Sequence, residues 1–442
     1  MSASGESSRS RRFSRRQFMG LATGGAGLLL LGACTPQGQG GASGSIVCSL
    51  GPDTTGARKK QLNQFNQKYK GKYKVKTRVM PADVTQQLQQ YRTDFQANSS
   101  IPDMIQGDCT WPAELASNGW ITDLSNRFTG SMRAKFLPST LTSDRYQNKV
   151  WGVPYWHDSG MLYYRKDLLQ KSGYNAPPKT WDQLKEMAGK VKSDSGTKYG
   201  LVFQGANYEG GVCNALEFIW SAGGDVLDPN DPSKVIIDDP EAVKGLEMER
   251  SMVTDGLSPQ TVAAWTETES QAAFFHNDAV FMRHWSYVYA LLSDPSQSKV
   301  KPEQVGITFM PSVSGKEPGF GCVGDQSFYI SAASQDQDAA WKLIEFLANP
   351  KEQKLAAIQG GYLPTLKSLY NDQEVLKNVP VMGVAKEPLA RNKPRPVTPY
   401  YSDLSLKMQA EFNSSLKGTV SPEQAAKTLK GQIEQIIKQS AA

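Results

Sequence analysis

From Ile46 onward the chain alternates short apolar runs with longer amphipathic ones, and this alternation restricts the available folds more than any other feature. Residues 46–50 read as a strand, and Gly51-Pro52-Asp53 reads as a turn. Residues 57–69 then place Leu62 and Phe65 at helical spacing, and 73–80 alternate as a second strand. Strand, helix, strand in that order is the opening of a βαβ unit, which requires a parallel sheet with helices on its faces. A helix over 84–97, a strand at 103–105 and a helix over 112–118 prolong the pattern, so the class is α/β. A globular part of about four hundred residues exceeds what one hydrophobic core organises, which predicts two domains.

The middle of the chain continues in the same style. Thr180 precedes Trp181 as a helix N-cap, and a helix over 216–222 stops at Gly223-Gly224. Residues 271–275 lead into a strand at 279–283, and another helix begins near Ser286. Strands are expected at 305–311 and 327–331, before an amphipathic helix over 339–347. No repeat of solenoid period is present. Gly319, Gly321 and Gly324 satisfy the spacing GxGxxG, but a strand follows them. No helix N-terminus is then available to receive a diphosphate.

The first 33 residues read as a processing segment. Arg15-Arg16 with Phe18 resembles a twin-arginine export motif, and the Gly-rich apolar run after it, about fifteen residues, falls short of the roughly twenty needed to span a bilayer. Leu31-Gly32-Ala33-Cys34 resembles a lipobox, with Cys34 acylated as the new N-terminus and residues 34–45 forming a flexible tether to a membrane surface. Of the 49 Lys and Arg and 43 Asp and Glu, this leader holds five arginines and one glutamate, so the mature net charge is near +2. No nucleic-acid footprint is expected from so balanced a chain. The remaining cysteines are Cys48, Cys109, Cys213 and Cys322; without CxxC spacing and with three histidines in all, they give a metal site little support. Cys48 and Cys109 each end a strand-like run, and both a disulfide and two buried thiols remain open. No cofactor is expected.

Four segments, in this order, resemble the sugar-binding proteins of ABC importers, in particular the trehalose/maltose-binding group. They are residues 102–111 with 116–120, residues 152–169 (Gly152-Val153-Pro154-Tyr155-Trp156-His157-Asp158 and onward), residues 204–213, and Arg395-Pro396-Val397-Thr398-Pro399-Tyr400-Tyr401. The resemblance implies a two-lobed, type II periplasmic-binding-protein-like fold with a ligand cleft between lobes joined by hinge strands. It places residues 45–157 and 284–347 in one lobe and 158–283 and 348–442 in the other. It further implies a monomer that delivers a carbohydrate, a disaccharide such as trehalose or maltose, to ABC permease subunits without catalysis.

A sugar presents apolar C–H faces and a rim of hydroxyls, so its site needs flat aromatic walls with fixed polar groups. By resemblance the ligand-binding positions are Asp108, Trp111, Trp156, Asp158, Asn207, Glu209, Trp285, Tyr287, Gly324 and Arg395. Trp156 and Asp158 lie two apart on an extended segment and so project to one side. Each position has a structural alternative: Asp108 as a helix N-cap, the tryptophans as core, Arg395 as a surface arginine. The chain departs from the family pattern at Gln87, where an arginine is usual, at Ser286 in place of a proline, and at Asp325 and Gln326, which replace a glycine and an aromatic. Two further readings share these residues. A cleft for glycerol phosphate or a glycerophosphodiester would need more cationic groups, and a lipid-anchored glycosidase would need two carboxylates, nominally Asp108 and Asp158, about 5 Å or about 6.5 to 9.5 Å apart.

Overall fold

The computed structural model describes residues 44–53, 55–81 and 83–440. The leader, Cys34 and nearly all of the tether lie outside the described residues. The first sheet is built from β1 (Ser45–Leu50), β2 (Lys74–Val79), β3 (Met104–Asp108), β4 (Val153–Trp156) and a late strand, β9 (Gln326–Ile330). Their order is β2, β1, β3, β9, β4; β1 runs parallel to β2 and β3, and β9 runs antiparallel to β3 and β4. Helix α1 (Ala57–Lys68) crosses between β1 and β2, as the opening alternation requires. It buries Leu62 and Phe65.

The second sheet contains β5 (Met161–Arg165), β6 (Tyr199–Val202), β7 (Ala279–His284) and β8 (Val305–Thr308), in the order β8, β5, β7, β6. Its helices include α2 (Trp181–Ser195), α3 (Glu209–Ser221) and α4 (Pro240–Thr254). Thr180 begins α2 with a capping box, its hydroxyl accepting from Gln183 N at 3.1 Å. Trp181 stacks on Phe218 at 4.2 Å and donates to the Ser221 hydroxyl at 2.7 Å, so the polar edge of a fully buried indole is satisfied.

The chain passes from β4 to β5 through residues 157–160, where the resemblance puts a hinge. The return differs from the expectation at residue 284. Residues 305–308 pair along the open edge of β5, Ile307 opposite Tyr163, so the second sheet keeps the chain until after Thr308. The C-terminal part also divides differently. The helix Pro350–Gly360 lies on α1, with Gln61 Nε2 donating to the Glu352 carbonyl at 2.9 Å. Helices Tyr401–Lys417 and Pro422–Ser440 instead share one core with α3 and α4. The helix predicted to begin at 216 starts seven residues earlier, because Gly210 and Gly211 sit inside its first turn.

All four cysteines among the described residues are free and buried. Cys48 stands opposite Met104 in the sheet register. Cys109 lies five residues further along, roughly 16 Å at the usual strand rise, so the two thiols do not meet.

Two buried carboxyls make stability depend on pH. Burial alone pushes Glu249 on α4, 2% exposed, up to about 8. Burial likewise raises Asp144 to about 7, against the opposing hydrogen bonds from Ser327 and Tyr329. The folded state keeps these protons after the unfolded chain has lost them, so stability falls as pH rises from the ordinary carboxylate range through about 8. Thermal melts at pH 5 and pH 8.5 should show a lower Tm at the higher pH, and Glu249→Gln should reduce that difference. An unchanged difference would remove Glu249 from the account.

Candidate functional site

The sheet register itself assembles one wall of a cleft. Gln326, the first residue of β9, pairs with Asp108 at the end of β3 and with Trp156 at the end of β4. Directly opposed residues project on the same face, so a carboxylate, an amide and an indole form a row at the edge of the first sheet. Facing this row are strand ends and helix starts of the second sheet. Trp285 follows β7 directly, Glu209 is the first residue of α3, and Glu267 is the first residue of the helix Glu267–Phe275. Between them lies a cavity of about 560 Å³.

Aromatic side chains supply its walls. Trp156 stacks on Tyr362 with centroids 4.5 Å apart and planes 9° from parallel. Trp285 carries the Arg283 guanidinium over its ring at 4.1 Å and donates from Nε1 to Glu267 Oε1 at 3.1 Å. A Cβ on Gly324 would come within 2.8 Å of the Trp285 ring, so glycine is needed there for close approach. Tyr208 donates to the other oxygen of Glu267 at 2.8 Å, and Tyr287 packs edge-on against His284. One carboxylate thus orients two aromatic walls.

The acids are held by their surroundings. Asp108 Oδ1 accepts from Thr110 N (3.0 Å), the Thr110 hydroxyl (2.8 Å) and Arg395 Nη2 (2.9 Å). Among the described residues its Oδ2 is met only by Gln326 Nε2, at 3.4 Å, and has capacity left for a hydroxyl donor. Arg395 donates from Nη1 to Glu209 Oε1 at 2.6 Å. The same oxygen takes Tyr401 at 2.5 Å, and Ser405 donates to Oε2. Asp158 Oδ1 receives the Ser286 and Ser159 amides at 2.9 and 2.8 Å. Burial nevertheless raises Asp158 to about 6, more than those amides lower it.

Of the positions singled out in the sequence, Asp108, Trp156, Asp158, Glu209, Trp285, Tyr287, Gly324, Gln326 and Arg395 line this one cavity. The Gly324 amide is already engaged with the Asp158 carbonyl at 3.0 Å. Four others lie elsewhere. Trp111 is core, 4% exposed and edge-on to Tyr91 at 5.8 Å. Gln87 sits on the inward face of the helix Val84–Gln96 with Leu88 and Tyr91, donating to the Pro81 carbonyl at 2.6 Å. Asn207 is exposed outside the cleft. Asp325 precedes Gln326 on an extended segment; with Gln326 facing the cavity, Asp325 turns the opposite way and meets His157. Tyr208, Glu267 and Tyr362 were missed. Tyr208 lies within the quoted segment 204–213, and the capping box Thr266 to Glu269 marks the helix start that places Glu267. Nothing local announces Tyr362.

Among the described residues no group of three or more His, Cys, Asp or Glu could hold a metal ion, and no helix is long and apolar enough to cross a membrane.

Known proteins are similar to this chain in sequence and fold. A model of the family described as "Bacterial extracellular solute-binding protein" matches residues 51–354. The chain is 32% identical over 370 residues to a probable ABC transporter-binding protein of Deinococcus radiodurans, covering 82% of this chain and 86% of that one. It is 23% identical over 376 residues to the galactooligosaccharide-binding protein of Bacillus subtilis, covering 83% and 85%. The solved structure of maltose-bound T. maritima MalE3 superposes with a TM-score of 0.81 at 34% identity, covering 89% of this chain and 99% of the other. A family match over more than half of the sequence, together with a relative of this identity and coverage, shows that the chain belongs to the bacterial extracellular solute-binding proteins, the two-lobed receptors of ABC transporters.

Proposed function

We propose that this receptor captures an uncharged carbohydrate, a disaccharide such as maltose or trehalose, and hands it as a monomer to the permease subunits of an ABC importer. In this reading Cys34 carries the lipid anchor. The observation that carries it is the pairing of aromatic walls (Trp156 with Tyr362, and Trp285 beside Tyr208, both held by Glu267) with the carboxylates of Asp108 and Asp158 around one cavity. Flat rings suit the C–H faces of a pyranose, and carboxylates accept its hydroxyls. The volume exceeds the needs of a single sugar ring. Maltose is bound by the MalE3 neighbour and a galactooligosaccharide by the Bacillus relative, which favours an oligosaccharide over a monosaccharide.

Charge argues against a phosphate ester. Arg395 is committed to Asp108 and Glu209, and the acids of the cleft outnumber its cations. An anion would meet net repulsion there. Hydrolysis has no support beyond the presence of acids, and the relatives are binding proteins by name.

Calorimetric titration of the soluble mature domain with maltose, trehalose and a panel of oligosaccharides should give a Kd near micromolar for at least one, about −8 kcal/mol. Glycerol 3-phosphate should give no heat, and no monosaccharide should be released. Absence of heat with every sugar would sink the proposal. Two tryptophans separate binding from packing. Trp285→Ala should weaken the best sugar at least tenfold and lower Tm less than Trp111→Ala does. Trp111→Ala should cost about 3–5 kcal/mol of stability and leave affinity within a few fold.

A further inference from the structure

Next to the row formed by Asp108, Gln326 and Trp156 lies a buried ion pair that the sequence did not announce, of His157, which lines the cavity, and Asp325, which does not. His157 and Asp325 are each 1% exposed. The Asp325 Oδ1 stands 2.7 Å from His157 Nδ1 and also accepts the Asp158 amide at 2.9 Å. His157 Nε2 stands 3.2 Å from the Leu389 carbonyl. Each ring nitrogen therefore faces an acceptor, and Nε2 also stands 3.5 Å from the Asn392 amide nitrogen, a donor. A neutral imidazole carries one N–H and can satisfy only one of them, whereas an imidazolium satisfies both.

The surrounding bonds tie four stretches of chain to this pair. The His157 amide donates to the Leu363 carbonyl at 2.9 Å, the Gly324 amide to the Asp158 carbonyl at 3.0 Å, and the Cys109 amide to the Asp325 carbonyl at 3.1 Å. Asp158, Gly324 and Leu363 all line the cavity. We propose that the His157 imidazolium and the Asp325 carboxylate are the positioning pair of the cleft floor, fixing the backbone of Asp158 and Gly324 in the orientation the ligand meets. This rests on the reading of the cleft as a carbohydrate site.

The groups facing the imidazole are Asp325, the neighbouring Asp158, the Leu389 carbonyl and the Asn392 amide, with the Tyr370 phenol close enough to feel both acids. Burial works against the charge on His157, but the Asp325 charge and hydrogen bond outweigh it and raise the histidine to about 9. A raised histidine contributes stability in full below its ordinary range and loses it as pH rises through about 9.

Three histidines make the first test direct. Nitrogen NMR on histidine-labelled protein should show one ring protonated on both nitrogens at pH 7 and titrating near pH 9. Amide exchange at pH 7 should then be at least tenfold faster in Asp325→Asn than in wild type over residues 156–160 and 322–327. Maltose and trehalose should bind this variant at least tenfold more weakly than wild type. A neutral His157 at pH 7, or unchanged exchange in the variant, would overturn the proposal, as would unchanged affinity for a sugar that wild type binds. If no sugar of the titration panel binds wild type, the carbohydrate reading is what fails, and the NMR and exchange results still judge the pair. If Asp325→Asn does not fold, exchange in wild type at pH 7 and pH 10, corrected for the intrinsic rate, takes its place; no extra loss of protection in those segments would count against the pair.

Discussion

The cleft exists because one guanidinium stands between acids that would otherwise repel each other. Asp108 ends a strand of the first sheet, Glu209 starts a helix on the second, and Arg395 bonds to both from a third stretch of chain. The arginine is 4% exposed, so its desolvation is offset by those two partners, the neighbouring carbonyl and thiol, and the Tyr401 ring 5.8 Å away. Removing one member of such a buried set typically costs about 3–5 kcal/mol, because the other is left charged and unpaired. With its Oδ1 held by the arginine, Asp108 keeps its Oδ2 for a ligand.

A second buried pair fixes the crossing between the sheets. Arg283 at the end of β7 grips Glu217 on α3 through Nε at 2.7 Å and Nη2 at 2.5 Å, while Nη1 reaches Gln204 at 3.0 Å. Glu217 also receives the Cys322 amide at 2.8 Å, and so anchors the returning segment. A Cβ on Gly160 would run into both members of the pair, and for that reason the crossing strand carries glycine where it passes over them. The outer face of the same guanidinium lies on the Trp285 ring. Packing that secures the hinge therefore also sets the angle of a cleft wall.

The sequence made some of this legible and hid the rest for physical reasons. Strand and helix alternation over residues 46–118 follows from local periodicity, and the observed elements sit within a few residues of it. Trp156 and Asp158 could be placed together because an extended segment fixes which side each residue faces, whereas Asp108 was joined to them by the family resemblance. Gln87 and Trp111 could not be placed: which face of a helix turns to the cavity and which to the sheet depends on how the helix is laid down. The return at residue 284 was misplaced because residues 305–308 read equally well as a strand of either sheet, and the choice is made by the open edge of β5. Tyr362 reaches Trp156 from two hundred residues away in sequence, a contact no local pattern encodes.

Most polar atoms around the cavity are spent on the protein itself. Glu209 gives its oxygens to Arg395, Tyr401 and Ser405, Glu267 to Trp285 and Tyr208, and Gly324 its amide to Asp158. What remains for a ligand is narrow: Asp108 Oδ2, the Asp158 carboxyl and the exposed parts of the rings. A few fixed acceptors among apolar walls discriminate strongly, since a ligand that cannot donate to them leaves a half-buried carboxylate without a partner. Selectivity in this cleft then comes from the geometry that the ion pairs enforce, more than from the number of groups presented to the guest.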